Sequence, residues 1–221
     1  MKNCTLRTGG SVLLLSCCLS GLLGLLSSCT GLPKAASPAA VKPEKPAAPV
    51  IPALPRRIMG KGLMEEEKLA SFLMRSNDGT EAAFVKALAR YYVEEADVEG
   101  VNHDVAFAQM CLETGFLRYG NLVTADMNNF CGLGAIGPEK PGETFPSPRI
   151  GVRAHIQHLK AYASEEPLRQ DLVDPRYRWV RYGSSPLITG LAGTWAADKE
   201  YAVKINKILE RLYQYAYNRE G

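Results

Sequence analysis

The chain has 221 residues, enough for one ordinary domain with extras. Hydrophobic residues make up 46% and charged residues 22%, which allows a packed core and excludes wholesale disorder. A formal charge of +3 gives no argument for a nucleic-acid binder, and four of the six cysteines fall before residue 30, which excludes a disulfide-dense scaffold.

Residues 1–29 read as an export signal. Lys2 and Arg7 open it with no acid nearby, and an apolar stretch runs from Val12 to Leu26. Serines, cysteines and glycines interrupt that stretch. It is short for a membrane span, which takes about 20 apolar residues. It ends in Leu26-Ser27-Ser28-Cys29, which resembles the bacterial lipobox. That resemblance implies lipid attachment at Cys29 and an exported lipoprotein, anchored to a membrane of the bacterial cell envelope. A transmembrane anchor and an ordinary cleaved signal are the alternatives. Without residues 1–28 the chain keeps 24 bases against 23 acids. They are unevenly spread: residues 30–62 carry a net +5 and residues 63–221 a net −4.

Residues 30–60 read as a Pro/Ala-rich linker. Between 30 and 57 lie seven of the 14 prolines, with seven alanines. Proline lacks a backbone donor and favours an extended helix without internal hydrogen bonds, so this is a semi-rigid spacer.

Residues 61–221 then read as one domain. Leu63, Leu69, Phe72 and Leu73 mark a first short amphipathic helix. Thr80 caps a second, with Phe84, Ala87, Leu88 and Tyr91 at helical spacing. Asn102 or Asp104 opens a third that runs to Glu113 and closes at Gly115. Glycines and prolines from Cys131 to Pro148 predict a loop or small hairpin. A fourth helix spans about 150–164. After a polar, aromatic stretch from Asp174 to Trp179, Asp198 caps a long last helix striped by Tyr201, Ile205, Ile208, Leu212 and Tyr215. The class is mainly α, α+β if the hairpin forms.

The third helix carries the chemistry. At 100° per residue, Val105, Phe107, Ala108, Cys111 and Leu112 share a broad apolar arc. Ala106, Gln109 and Glu113 lie together on the other side, as in the wall of a cleft. Glu113 sits in the last turn, where the negative helix end and partial desolvation both raise a carboxyl pKa. A carboxylic acid kept protonated near neutral pH is what a general acid requires. A solvated glutamate at a helix end is the alternative.

Three segments resemble the motifs of glycoside hydrolase family 73, the bacterial endo-β-N-acetylglucosaminidases. They are Ala108-Gln109 with Glu113-Thr114-Gly115, then Asn128 to Leu133, then Trp195 to Ala202 with Lys204-Ile205. They occur in the family's order and cover roughly residues 80–217. The resemblance implies a lysozyme-like helical fold with a small β-hairpin lobe over a glycan cleft. It implies peptidoglycan as substrate, cut between N-acetylglucosamine and N-acetylmuramic acid, with Glu113 protonating the glycosidic oxygen. Two departures stand out. Cys131 replaces the usual phenylalanine, and Trp195 replaces a tyrosine often linked to catalysis.

A second carboxylate, proposed for some family members, would be Glu143 or Glu139 in the hairpin segment. It would activate water in an inverting enzyme. A retaining route uses the substrate's own 2-acetamido oxygen instead. Asn128 and Asn129 either bind substrate amides or shape the turn before Gly132. Tyr177, Trp179, Tyr182 and Trp195 are candidates for stacking on sugar rings. Gln109 joins them as a substrate-binding candidate. Cys111 and Cys131 either pair or stay as buried thiols. His155 and His158, at i, i+3 with no acid or cysteine beside them, make no metal site. Hydrolysis needs no cofactor, and a monomer is expected. The expected activity is therefore peptidoglycan hydrolysis by a lipid-anchored monomer. The rivals are a non-catalytic wall-binding lipoprotein and a lytic transglycosylase.

Overall fold

A computed structural model describes residues 50–218. The export signal, Cys29 and most of the linker lie outside the described residues. Five α-helices make up the body: α1 (Glu66–Ser76), α2 (Ala82–Glu99), α3 (His103–Glu113), α4 (Pro148–Ala163) and α5 (Tyr201–Tyr217). Short 3-10 turns lie at Ala125–Met127, Tyr177–Trp179 and Ile188–Leu191. No described helix is long and apolar enough to cross a membrane.

Local chemistry sets the helix ends. Asn102 caps α3, its side chain accepting from the backbone N–H of Asp104 and Val105 at 3.0 and 3.2 Å. Ser147 caps α4, where Pro148 occupies the first turn and loses no helical hydrogen bond. Gly100 ends α2 in the left-handed region. Two expected caps act differently. The Thr80 hydroxyl accepts from Asn77 Nδ2 at 2.8 Å, and α2 begins without a side-chain cap. Asp198 stands before the first turn of α5, accepting from Glu200 N at 2.9 Å while Lys204 pairs with its other oxygen.

Helix α3 is the centre of the molecule and packs against α2, α4 and α5. Val105, Phe107 and Cys111 are buried as the apolar arc requires. Ala106 and Gln109, on its supposed open side, are fully buried as well. A helix enclosed all round offers no polar face, so only its last residue, Glu113, reaches the cleft.

The body begins before residue 61. Ile58 is fully buried, and its neighbours pair with two distant segments. Arg57 bridges Leu187, Met59 bridges Val101, and Asn102 N donates to Ile58 O at 2.8 Å. The linker's last residues thus join the core, because Ile58 breaks the small-residue pattern with a large apolar side chain.

The expected hairpin lobe shrinks, among the described residues, to a single bridge between Gly137 and Lys140. The segment before it docks on α4 at Gly151. There a Cβ would stand 1.8 Å from the Asn128 carbonyl oxygen, so only glycine fits.

Candidate active site

Two adjoining cavities, each of about 260 Å³, form a cleft along the C-terminal end of α3. Cys131, Gly132, Ala135 and Trp195 border both. Glu113 lies in the first cavity with Tyr119 and Asn121. His158, Tyr162, Arg176 and Trp179 line the second.

Helix α3 ends at Glu113 because the chain turns sharply there. Thr114 Oγ1 donates to Met110 O at 2.8 Å and accepts from Leu117 N at 2.9 Å. Gly115, Phe116, Leu117 and Tyr119 all take positive φ, an uncommon cluster for large side chains. The turn leads the backbone away and leaves the largely buried Glu113 carboxyl at the wall of the first cavity.

The two oxygens of Glu113 differ. Oε1 accepts from Trp195 Nε1 at 3.2 Å and from the Tyr201 hydroxyl. Oε2 faces Gly132, where a Cβ would stand 3.6 Å away. Gly132 has φ +68°, a conformation that favours glycine. With Oε1 occupied by two donors, the proton of the neutral acid belongs on Oε2, the oxygen open to the cleft. Burial pushes the Glu113 carboxyl up from the usual range, while the Tyr201 and Trp195 hydrogen bonds pull against it.

Tyr201 is itself held by a buried chain of partners. Gln109 Nε2 donates to the Tyr201 hydroxyl at 2.8 Å. Gln109 Oε1 faces His155 Nε2 at 3.0 Å, and His155 Nδ1 faces the Tyr92 hydroxyl at 2.9 Å. Burial, then His158, lowers the His155 pKa to about 3, so the ring is neutral at ordinary pH. A neutral ring that donates from Nε2 and accepts at Nδ1 satisfies every member of the chain. Four elements thereby converge on one carboxyl oxygen.

The predicted substrate-binding residues divide: Trp195 and Asn129 line the cleft, while Gln109, Asn128 and Tyr177 do not. Gln109 is fully buried with both ends of its amide engaged, so it holds Tyr201 and does not reach the cleft. Asn129 donates to Leu133 O and Glu143 O, both at 2.9 Å, and accepts from Leu133 N at 3.0 Å. Asn128 donates to Phe145 O at 2.9 Å from a left-handed backbone. Both asparagines shape the turn, and Asn129 also borders the Glu113 cavity. Tyr177 packs on Tyr182 and lines neither cavity. Trp195 lies between the two cavities, its ring 5.1 Å from His158 and 5.5 Å from Tyr162.

Neither hairpin carboxylate lines the cleft. Glu139 is exposed at the hairpin tip. Glu143 lies against Gly134, where a Cβ would stand 2.9 Å from its Oε1. Cys111 and Cys131 are separate buried thiols, both pushed up in pKa by desolvation. Sequence reasoning missed Tyr201 as a site residue because its place in the α5 stripe marked it as core. It missed the His158–Asp174 contact, 2.7 Å between Nδ1 and Oδ2, because the acid lies 16 residues away.

Residues 89–214 match the family model described as mannosyl-glycoprotein endo-beta-N-acetylglucosaminidase. An uncharacterized protein of Borreliella burgdorferi is 40% identical over 158 residues, covering 72% of this chain and 78% of that protein. Among solved structures, S. aureus autolysin E in complex with the muropeptide NAM-L-Ala-D-iGlu is similar with a TM-score of 0.45 and 16% identity. The similarity covers 72% of this chain and 71% of that one.

Proposed function

The chain belongs to the mannosyl-glycoprotein endo-beta-N-acetylglucosaminidase family, and on that premise we propose that it hydrolyses peptidoglycan with Glu113 as general acid. The bond cut is the β-1,4 linkage from N-acetylglucosamine to N-acetylmuramic acid. One observation carries the reading: Glu113 holds Oε1 on two donors and turns Oε2 to the cleft, with its pKa raised by burial. In its protonated form, which burial favours, Glu113 delivers its proton from Oε2 to the leaving oxygen. As the glycosidic bond breaks, Glu113 becomes a carboxylate, and Tyr201 and Trp195 stabilise the new charge.

The displacement at the anomeric carbon needs a partner. Glu139 and Glu143 both lie outside the Glu113 cavity, which favours the substrate's 2-acetamido oxygen as the internal nucleophile. Water then opens the intermediate, with Glu113 taking the proton back as base. This route retains the anomeric configuration, so the new reducing N-acetylglucosamine end forms first as the β anomer. Proton NMR during digestion reads it directly, and an initial α anomer would contradict the route.

Digestion of purified peptidoglycan by the full chain tests the whole reading. New reducing N-acetylglucosamine ends support it. Anhydro-muramyl ends indicate a lytic transglycosylase, and binding without cleavage indicates a wall-binding protein. Glu113→Gln is expected to lower turnover by about three orders of magnitude or more, with folding intact. Glu139→Gln is expected to leave it unchanged. The domain acts from a lipid anchor at Cys29 in this reading, and fatty-acid labelling is expected to vanish in Cys29→Ser.

A further inference from the structure

The second cavity is built differently from the first. Its far wall is the segment from Val173 to Val180, which is fastened to α4 by side chains. Gln157 Oε1 accepts from Val173 N at 2.9 Å and Asp174 N at 3.2 Å. Asp174 is buried, with Oδ2 on His158 Nδ1 at 2.7 Å and Oδ1 on Arg176 N at 2.8 Å. The Arg176 backbone is therefore fixed, and both Asp174 oxygens are already engaged.

The Arg176 side chain has no such engagement. It is half-buried, and among the described residues its guanidinium makes no ion pair and no hydrogen bond. Of the residues lining either cavity, it is the only lysine or arginine. A half-buried guanidinium with no ion-pair partner keeps its donors free for an anion. Its planar fork of donors matches a carboxylate. Beside it, His158 gives Nδ1 to Asp174, and its Nε2 has no partner among the described residues while the ring lines the cavity. At the mouth, Trp179 is 73% exposed, a large aromatic face with nothing on it. An aromatic plane of that kind suits the C–H face of a pyranose.

We infer that the cavity between Trp195 and Trp179 is a carboxylate-binding subsite, in which Arg176 takes a carboxylate of the glycan strand while Trp179 carries a sugar ring. The inference rests on the proposed peptidoglycan substrate and deepens it: recognition requires charge on the strand as well as sugar. Two parts of that substrate supply a carboxylate, the lactyl group of a muramic acid without its peptide and the stem peptide itself.

Binding is measured on the full chain carrying Glu113→Gln, by titration calorimetry with three soluble probes. The first is a peptide-bearing glycan oligomer, and the second is the same oligomer with its carboxylates amidated. The third is the oligomer stripped of peptide, which keeps only lactyl carboxylates. Adding Arg176→Ala is expected to weaken the first probe about tenfold or more, and to leave the amidated probe within about twofold. Arg176→Lys recovers part of the loss, and Trp179→Ala weakens both probes alike. Unchanged affinity for the amidated probe also shows that the variant is folded. Loss on the peptide-bearing probe alone assigns the stem peptide, loss on the stripped probe alone assigns the lactyl group, and loss on both means that Arg176 takes either carboxylate. Equal losses on charged and amidated probes, or no loss on any of the three, would overturn the subsite. Failure of the general-acid reading is separate, since it appears as cleavage of the probes by Glu113→Gln.

Discussion

Glu113 Oε1 is held by two donors of different strength, and their removal has a predictable sign. The Tyr201 hydrogen bond favours the carboxylate and so opposes the effect of burial. In Tyr201→Phe that opposition is lost and the Glu113 pKa rises further. The alkaline limb of the kcat/KM profile, where the acid loses its proton, is expected to move to higher pH. The rate at the optimum is expected to fall about tenfold, because the departing carboxylate loses a partner. A limb that stays in place would show that Tyr201 does not tune the acid. Of this constellation, Glu113 was legible in the sequence from its position at the end of an apolar helix. Trp195 and Gln109 were legible as site residues, but not as the partners of Glu113 and Tyr201. Tyr201 lies 88 residues on and His155 lies 46 residues from Gln109, so only the fold brings them together.

Between elements, the least replaceable contact joins α2 to α4. Lys160 is fully buried and pairs with Glu99 at 2.9 Å, also donating to Pro167 O at 2.8 Å. Glu99 takes the backbone N–H of Arg169 and Gln170 as well, which fastens the loop after α4. Removing one member leaves a buried charge without compensation. Lys160→Ala is therefore expected to cost about 3–5 kcal/mol, read from the urea midpoint. Lys160→Met with Glu99→Leu is expected to be less damaging than Lys160→Ala, since the pair leaves together. If the single variant unfolds at the wild-type midpoint, the pair contributes nothing. The helices themselves were legible: α1, α2 and α5 bury one stripe each, and α4, though buried on most sides, is marked by its Ser147-Pro148 start. Helix α3 defeated the same pattern because it is covered on every side. The hairpin defeated it too, since glycines and prolines mark a bend without fixing how many residues pair.

At the scale of the molecule, composition drew the domain boundary too late. Proline and alanine run to residue 57, yet Arg57, Ile58 and Met59 pair across to Leu187 and Val101. A chain starting at residue 61 loses the buried Ile58 side chain. It is expected to melt roughly 10 °C below one starting at residue 50, the shift that a core deletion of a few kcal/mol produces in a domain of this size. Equal melting temperatures would mean that the arm only rests on the surface. The cleft brings a different consequence. The chain has two tryptophans, Trp179 and Trp195, and both border the cavity that holds Arg176. All of the protein's indole fluorescence therefore arises at the cleft. Trp195 also donates to Glu113, so its emission is expected to follow the ionisation of that carboxyl. An unlabelled glycan can be titrated by light alone, with Trp179 reporting its arrival and Trp195 the state of the acid.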